Sequence, residues 1–176
     1  MTFGSRIKHP SLRRFFDHWM EIKGERMVPL RSQLDPVVIG PDLKYVWLYD
    51  YLPVDDNYRC RLAGEHIQDT HRKRLADLLI DEIYTPDIAA FVKGYWDTVR
   101  DKPAVIYGTA VSPGGGRILR SERLMLPLGD SEGAVRQILG MSIYDFESEV
   151  DAEHGPHNID DHDLQVFDCK DLQTEQ

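Results

Sequence analysis

Two polar side chains in strand-like segments of the sequence could act as an acid and a base. Glu122 and Tyr107 lie in neighbouring strand-like runs. A carboxylate can serve as a general base and a phenol as a hydrogen-bonding acid. The pair suggests, as one hypothesis, a small cone-shaped α+β enzyme of the isomerase or hydratase kind. Those folds usually open with long helices, whereas here a strand hairpin precedes the longest helix. The enzyme hypothesis therefore fits the order of elements less well.

Two other motifs could bind ligands. The run from Gly114 to Arg117 joins two strand-like segments and lacks the Lys-Ser/Thr pair and the helix of a P-loop. A hairpin turn is therefore favoured over a nucleotide site. His154, His157 and His162 lie among aspartates and could loosely bind a divalent ion. A solvated tail is the favoured interpretation of this cluster.

The acidic charge is concentrated at the C-terminus. The net charge is −9, and residues 151–176 carry eight acids and one base, which leaves 22 acids and 20 bases for the rest. A nearly neutral body lacks the basic face that nucleic-acid binding needs. We therefore expect no direct contact with nucleic acid.

The sequence favours a soluble protein of the cytoplasm. Its two cysteines, Cys60 and Cys169, lie in an apolar run and in the acidic tail, which argues against a disulfide framework. The start lacks the apolar core of a secretory signal, and no stretch approaches the ~18 apolar residues of a membrane helix.

The elements that must position these side chains begin with a helix. Apolar residues at spacings of three and four predict one buried face; they are Leu12, Phe15, Phe16, Trp19 and Met20. Gly24 is a natural stop for this helix. A short connector helix is predicted to start at Asp35-Pro36 and to end at Gly40.

Five strands follow in two groups. Residues 44–52 and 57–63 form a predicted hairpin, and three further runs form two hairpins in succession, at residues 104–111, 117–128 and 135–146. Short helices and loops are expected after Gly64, and a strong helix runs from Thr85 to Pro103. The product is one antiparallel sheet with helices on one side and an N-terminal helix, an α+β fold.

We divide the chain into three parts. Residues 1–40 form an N-terminal helical extension, residues 41–150 form the core, and residues 151–176 form an acidic tail. Because the tail has few large apolar groups, we expect disorder or a short partner-dependent helix near residues 164–172.

Four strings make the sequence similar to the PAS domain, and in particular to a bacterial, alphaproteobacterial-type family of short stand-alone PAS proteins. The strings are His9-Pro10 before an aromatic helix, residues 29–36 (PLRSQLDP), residues 58–64 (YRCRLAG) and residues 124–128 (LMLPL). The resemblance spans residues 9–146. The chain departs from that family at residues 70–77, where a glycine is usual and Ala76 stands near its place.

The resemblance implies a five-stranded antiparallel sheet of order 2-1-5-4-3 and a ligand pocket under the long helix. We expect Tyr95, Tyr107 and His66 in the pocket lining, where hydroxyl and imidazole groups would orient a ligand. Cys60 and Glu122 complete the set of candidate ligand-binding residues. No metal site is expected.

The usual cofactors of such folds are disfavoured. Haem needs an axial histidine on the long helix, and residues 85–102 contain none, so only His66 or His71 could serve by moving in. Cys60-Arg61 echoes the Asn-Cys-Arg-like motif of flavin photosensors but lies in a strand, where a buried small hydrophobe is the favoured interpretation.

Charged residues embedded in the strands allow two interpretations. The residues are Arg59, Arg61, Arg120, Glu122 and Arg123. Exposed cross-strand pairs are the favoured interpretation. The alternative is a polar anchor for an anionic metabolite in the pocket.

The resemblance implies a sensory or regulatory protein rather than an enzyme. We expect a homodimer that responds to a small ligand or a partner and signals through protein contacts, because no kinase, cyclase or DNA-binding segment is appended. Its first helix would cover its own sheet or pair with a second chain. A ligand-free dimerisation module remains an alternative.

Overall fold

An antiparallel sheet of six strands organises the protein. The computed structural model describes residues 3–114, 117–147 and 162–172. The strands are β1 Val46–Leu52, β2 Asn57–Ala63, β3 Ala104–Gly114, β4 Arg117–Gly129, β5 Val135–Glu147 and β6 His162–Asp168. Their order across the sheet is β2-β1-β5-β4-β3-β6, and each neighbouring pair is antiparallel.

The helices lie before the first strand and between the second and third. They are α1 Pro10–Lys23, α2 Pro36–Ile39, α3 Glu65–His71, α4 Ile80–Ile83 and α5 Pro86–Asp101. Short 3-10 helices cover Gly4–Arg6, Arg31–Gln33, Gly40–Tyr45 and Cys169–Asp171. The predicted start of α2 is confirmed, since the Asp35 carboxylate accepts a hydrogen bond from the backbone N–H of Val37 at 2.8 Å.

Helix α1 covers one face of its own sheet. His9 caps it by accepting from the backbone N–H of Ser11, and Gly24 ends it with a φ of 53°. The predicted apolar face is confirmed, because all five of its residues are buried. The Trp19 indole N–H donates to the Pro127 carbonyl at 3.0 Å and ties the helix to β4. The first 40 residues therefore share the core of the sheet.

Helix α5 lies on the opposite face. Trp96 is buried in an aromatic cluster on the helix side of β1 and β2, and its ring centroid lies 4.5 Å from that of Tyr49 and 5.2 Å from that of Tyr58. Asp97 holds the same helix by accepting from the Tyr58 hydroxyl at 2.8 Å and from Arg100 at 2.9 Å. This side of the sheet, between α5 and the strands, contains the cavity described below.

The predicted order 2-1-5-4-3 is confirmed, with one strand added. The prediction of disorder or a short helix is wrong for residues 162–168, which form β6 and pair with β3 from Ala104↔Asp168 to Ala110↔His162; a short 3-10 helix does follow at Cys169–Asp171. Phe167 fixes the strand on the α1 face, with its ring centroid 4.3 Å from that of Phe3. Residues 148–161, including His154 and most of the predicted histidine cluster, lie outside the described residues.

Candidate functional site

A partly open cavity lies between α5 and the sheet. Its volume is about 50 Å³, several times the roughly 10–15 Å³ that one water molecule needs. Strands β1, β4, β5 and β6, helices α3 and α5 and the residue that follows α4 all contribute to its wall. The lining is Trp47, Tyr49, Ile67, His71, Tyr84, Phe91, Val92, Tyr95, Trp96, Arg123, Met125, Ser142, Tyr144 and Leu164.

The floor of the cavity depends on a close contact between a ring and a glycine. The Trp47 ring lies against Gly140 of β5, in the space that a Cβ atom at that position would fill. The indole N–H of Trp47 donates to the Ser142 hydroxyl at 2.9 Å. Trp96 stacks on Trp47 with ring centroids 5.4 Å apart. The absence of a side chain at Gly140 thus lets two indoles form a rigid apolar floor.

Two donors in this lining lack acceptors. The Trp96 Nε1 and the Arg123 Nε are both buried and have no hydrogen-bond partner among the described residues. An unpaired buried donor is costly, since it loses its hydrogen bonds to water without replacement. The cavity wall therefore carries unused hydrogen-bonding capacity for an acceptor.

Arg123 is the residue of the lining that carries a formal charge. One Nη donates to the Ser121 hydroxyl at 2.7 Å, and no ion pair joins the guanidinium to a carboxylate within the described ranges 3–114, 117–147 and 162–172. Among the described residues, the lining contains no Asp or Glu. The cavity is consequently electropositive at neutral pH.

His71 and Tyr84 lie at the same side of the cavity, with ring centroids 5.6 Å apart. Burial lowers the pKa of His71, and the charges of Arg123 and Lys73 lower it further. Burial also raises the pKa of Tyr84. Both groups are therefore neutral near pH 7, when the imidazole can donate or accept one hydrogen bond and the phenol can do either.

Of the predicted pocket residues, the structure places Tyr95 in the lining and His66 one layer behind it. The His66 ring is 5.9 Å from the ring of Tyr144 and 4.8 Å from that of Tyr45, measured between centroids. Burial lowers the pKa of His66. His66 thus supports a wall residue of the cavity and is not itself part of the lining.

Cys60 also lies behind the lining. It is fully buried in β2, and its thiol interacts with the Tyr49 hydroxyl. Burial raises the pKa of the thiol to about 11. This environment agrees with the interpretation of Cys60 as a buried small hydrophobe, and it separates the thiol from the cavity by one aromatic ring.

Tyr107 and Glu122 lie on the other face of the sheet, so the expectation that Tyr107 lines the pocket is wrong. The reason is register, since the lining residue Arg123 alternates with Glu122 along β4. The two side chains do meet, because the Tyr107 hydroxyl donates to the Glu122 carboxylate at 2.9 Å. The same oxygen accepts from the backbone N–H groups of Lys8 and His9 at 3.2 and 3.0 Å. Burial and the hydrogen bond to Glu122 raise the pKa of Tyr107 to about 12. The pair anchors the start of α1.

Several cavity residues escaped the sequence analysis. The sequence pattern indicated that Trp47 is an apolar strand residue and that Trp96 is an apolar helix residue. That both line the cavity follows only from the packing. Leu164 belonged to a segment that was predicted to be disordered or to form a short partner-dependent helix. Arg123 was among the charged strand residues, and the alternation of β4 places it on the cavity face, as the less favoured anchor hypothesis requires.

A family model of the PAS domain matches residues 7–143, more than three quarters of the chain. The chain therefore belongs to the PAS domain family, and the class of protein is that of sensory and regulatory modules. A search of the curated proteins finds no match.

Within residues 3–114, 117–147 and 162–172, no group of three or more His, Cys, Asp and Glu side chains is placed to hold a metal ion. None of the helices in the same ranges is long and apolar enough to cross a membrane.

Proposed function

We propose that this protein is a PAS-type sensor that binds a small molecule in the cavity under α5 and passes the binding event on through protein contacts. The observation that supports the proposal is the cavity itself. An aromatic wall with a few polar groups is the usual make-up of a small-molecule site. Two buried donors without acceptors give such a molecule something to bind.

The path from cavity to surface runs through β6. Leu164 lines the cavity and belongs to the outermost strand of the sheet. An edge strand presents unpaired backbone groups and can contact another chain. A molecule bound in the cavity would therefore change how β6 packs on the sheet. That change would alter the surface that β6 presents to a signalling partner or to a second copy of the chain.

The face under α1 is not available for this purpose. Its apolar residues are buried against the protein's own sheet. A homodimer of this protein would consequently form through other surfaces, of which the β6 edge is the one connected to the cavity. Two buried free thiols, Cys60 and Cys169, suit a reducing cytoplasm.

A variant that fills the cavity tests the proposal. Val92→Trp places an indole in the lining, whereas Ala90→Trp puts the same side chain on the exposed side of α5. Full-length protein purified without added ligand is analysed by native mass spectrometry. We expect a bound small molecule in the wild type and in Ala90→Trp, and none in Val92→Trp. A bound mass retained by Val92→Trp, or none in the wild type, would contradict the proposal.

A further inference from the structure

We propose that the ligand of this cavity is a small monocarboxylate with an apolar body, bound by the guanidinium of Arg123 and by the indole N–H of Trp96. The inference rests on the proposed function and names the chemical class of the molecule that the cavity accepts.

The charge of the cavity is the first argument. Partial burial of a guanidinium without a counter-ion costs free energy, because the charge loses water and gains no partner. An anion bound beside it removes that cost. The lining supplies no carboxylate that could do so. Lys73 adds positive potential, as its effect on His71 shows. An anionic ligand is thus attracted without opposition from the wall.

The geometry of the donors is the second argument. The planar fork of a guanidinium matches a carboxylate, which can accept two hydrogen bonds in one plane. Arg123 keeps its Nε–H unpaired while one Nη binds Ser121. The unpaired indole N–H of Trp96 belongs to the same lining. A carboxylate bound in this lining would therefore offer acceptor oxygens where two donors have no acceptor among the described residues.

The size and polarity of the remaining wall are the third argument. Aromatic and aliphatic side chains form most of the lining, and Ser142 is already engaged by Trp47. A volume of about 50 Å³ suits a short chain. The cavity is partly open and its residues Phe91 and Val92 are only half-buried, so the ring of a larger acid such as benzoate would extend from it towards solvent.

Matched pairs of probes test the inference with the full-length protein. Propionate and benzoate are compared with their neutral amides, propionamide and benzamide, and with inorganic phosphate, by titration of the tryptophan fluorescence. We expect both acids to bind at least about tenfold more tightly than the amides, because a charge-assisted bond to arginine is lost in the amide. Phosphate should bind more weakly than the acids, since it has no apolar body.

Variants assign the binding to the named donors. Arg123→Gln should weaken benzoate roughly tenfold to a hundredfold and Arg123→Lys by less, since lysine keeps the charge and loses the fork. Trp96→Phe keeps an aromatic side chain, smaller than the indole, and removes the N–H, so it should also weaken binding. Arg61→Gln, at an exposed position of β2, should bind as the wild type does. Circular dichroism melting confirms that each variant is folded.

The outcomes separate this inference from the proposed function. If the amides or phosphate bind as tightly as the acids, or if Arg123→Gln and Trp96→Phe both bind benzoate as the wild type does, the ligand class is wrong while the cavity remains a binding site. If neither acid binds, the inference is wrong, and the native mass measurement on Val92→Trp decides the proposed function independently.

Discussion

The side chain of Leu164 lies against the backbone of Gly108, in the space that a Cβ atom at residue 108 would occupy. The contact joins β6 to β3 at the edge of the cavity, because Leu164 also forms part of the lining. Strand β6 is thus held on the sheet by a specific contact between Leu164 and Gly108.

A larger side chain at Gly108 should displace β6. In Gly108→Val, the new methyl groups would overlap the backbone of Asp163 and the side chain of Leu164, and overpacking of this kind costs about 1–3 kcal/mol. Hydrogen exchange should show faster exchange in residues 162–168 than in the wild type. Gly94→Ala is the control, since nothing lies within 4 Å of the added carbon. Equal protection of β6 from hydrogen exchange in Gly108→Val and in the wild type would contradict the role of the contact between Leu164 and Gly108.

The two thiols should be inert until the surrounding structure opens. Burial raises the pKa of Cys60 to about 11 and that of Cys169 to about 12, and only the thiolate reacts with alkylating reagents. Iodoacetamide labelling followed by mass spectrometry should modify neither residue in the native protein and both in denaturant. Gly108→Val should expose Cys169, which follows β6, before Cys60. Rapid labelling of Cys60 in native protein would be inconsistent with its position.

Glu122 should contribute to stability and not to ligand binding. Its carboxylate accepts two backbone N–H groups at the start of α1 and the Tyr107 hydroxyl, so Glu122→Gln should lower the free energy of unfolding by about 1 kcal/mol or more. Urea denaturation measures this change, and Glu132→Gln in an exposed turn is the control. Benzoate affinity should be unchanged, because the residue lies on the other face. Loss of affinity in Glu122→Gln would show that this face communicates with the cavity.

The stability of the protein should fall as the pH drops below about 6.5, the ordinary pKa of histidine. The folded state lowers the pKa of His71 through burial and through the charges of Arg123 and Lys73, and the neutral Tyr84 ring packs against the imidazole. The unfolded chain therefore takes up a proton that the folded chain does not, and stability is lost as the pH falls towards the folded pKa.

His71→Gln should reduce this dependence. The free energy of unfolding is measured in urea between about pH 7.5 and 5.5, a range above the titration of most carboxylates. Part of the decrease should persist in the variant, because burial also lowers the pKa of His66. An identical decrease in the variant and the wild type would contradict the assignment to His71.

Local signals in the sequence were sufficient for most of the fold. The spacing of Leu12, Phe15 and Trp19 predicted the buried face of α1, and the Thr85-Pro86 start and Pro103 bounded α5. Strand β6 gave no comparable signal. Its apolar residues Leu164 and Val166 lie on one face and Phe167 on the other, among acids, and Val166 is half exposed. The strand is stabilised by pairing with β3, which is distant in sequence.

The candidate site was harder to predict than the fold, because it depends on which face each strand residue occupies. Tyr107 and Arg123 were both recognised as polar residues within strands, but their assignment to the α1 face and the cavity face follows from register. A shift of one residue exchanges the two faces. The contact of Trp47 with Gly140, and hence the cavity floor, also required the three-dimensional packing.

The three indole N–H signals of the protein provide the most direct test of the binding site. In the part of the chain that the structure describes, the Trp96 indole N–H has no hydrogen-bond partner, that of Trp47 donates to Ser142, and that of Trp19 donates to the Pro127 carbonyl on the opposite face. In a ¹H–¹⁵N NMR titration with benzoate, the signal of Trp96 should shift most, that of Trp47 should shift less, and that of Trp19 should stay in place. Assignments come from the single Trp→Phe variants. A ligand-dependent shift confined to Trp19, or the absence of any indole shift, would contradict a binding site under α5.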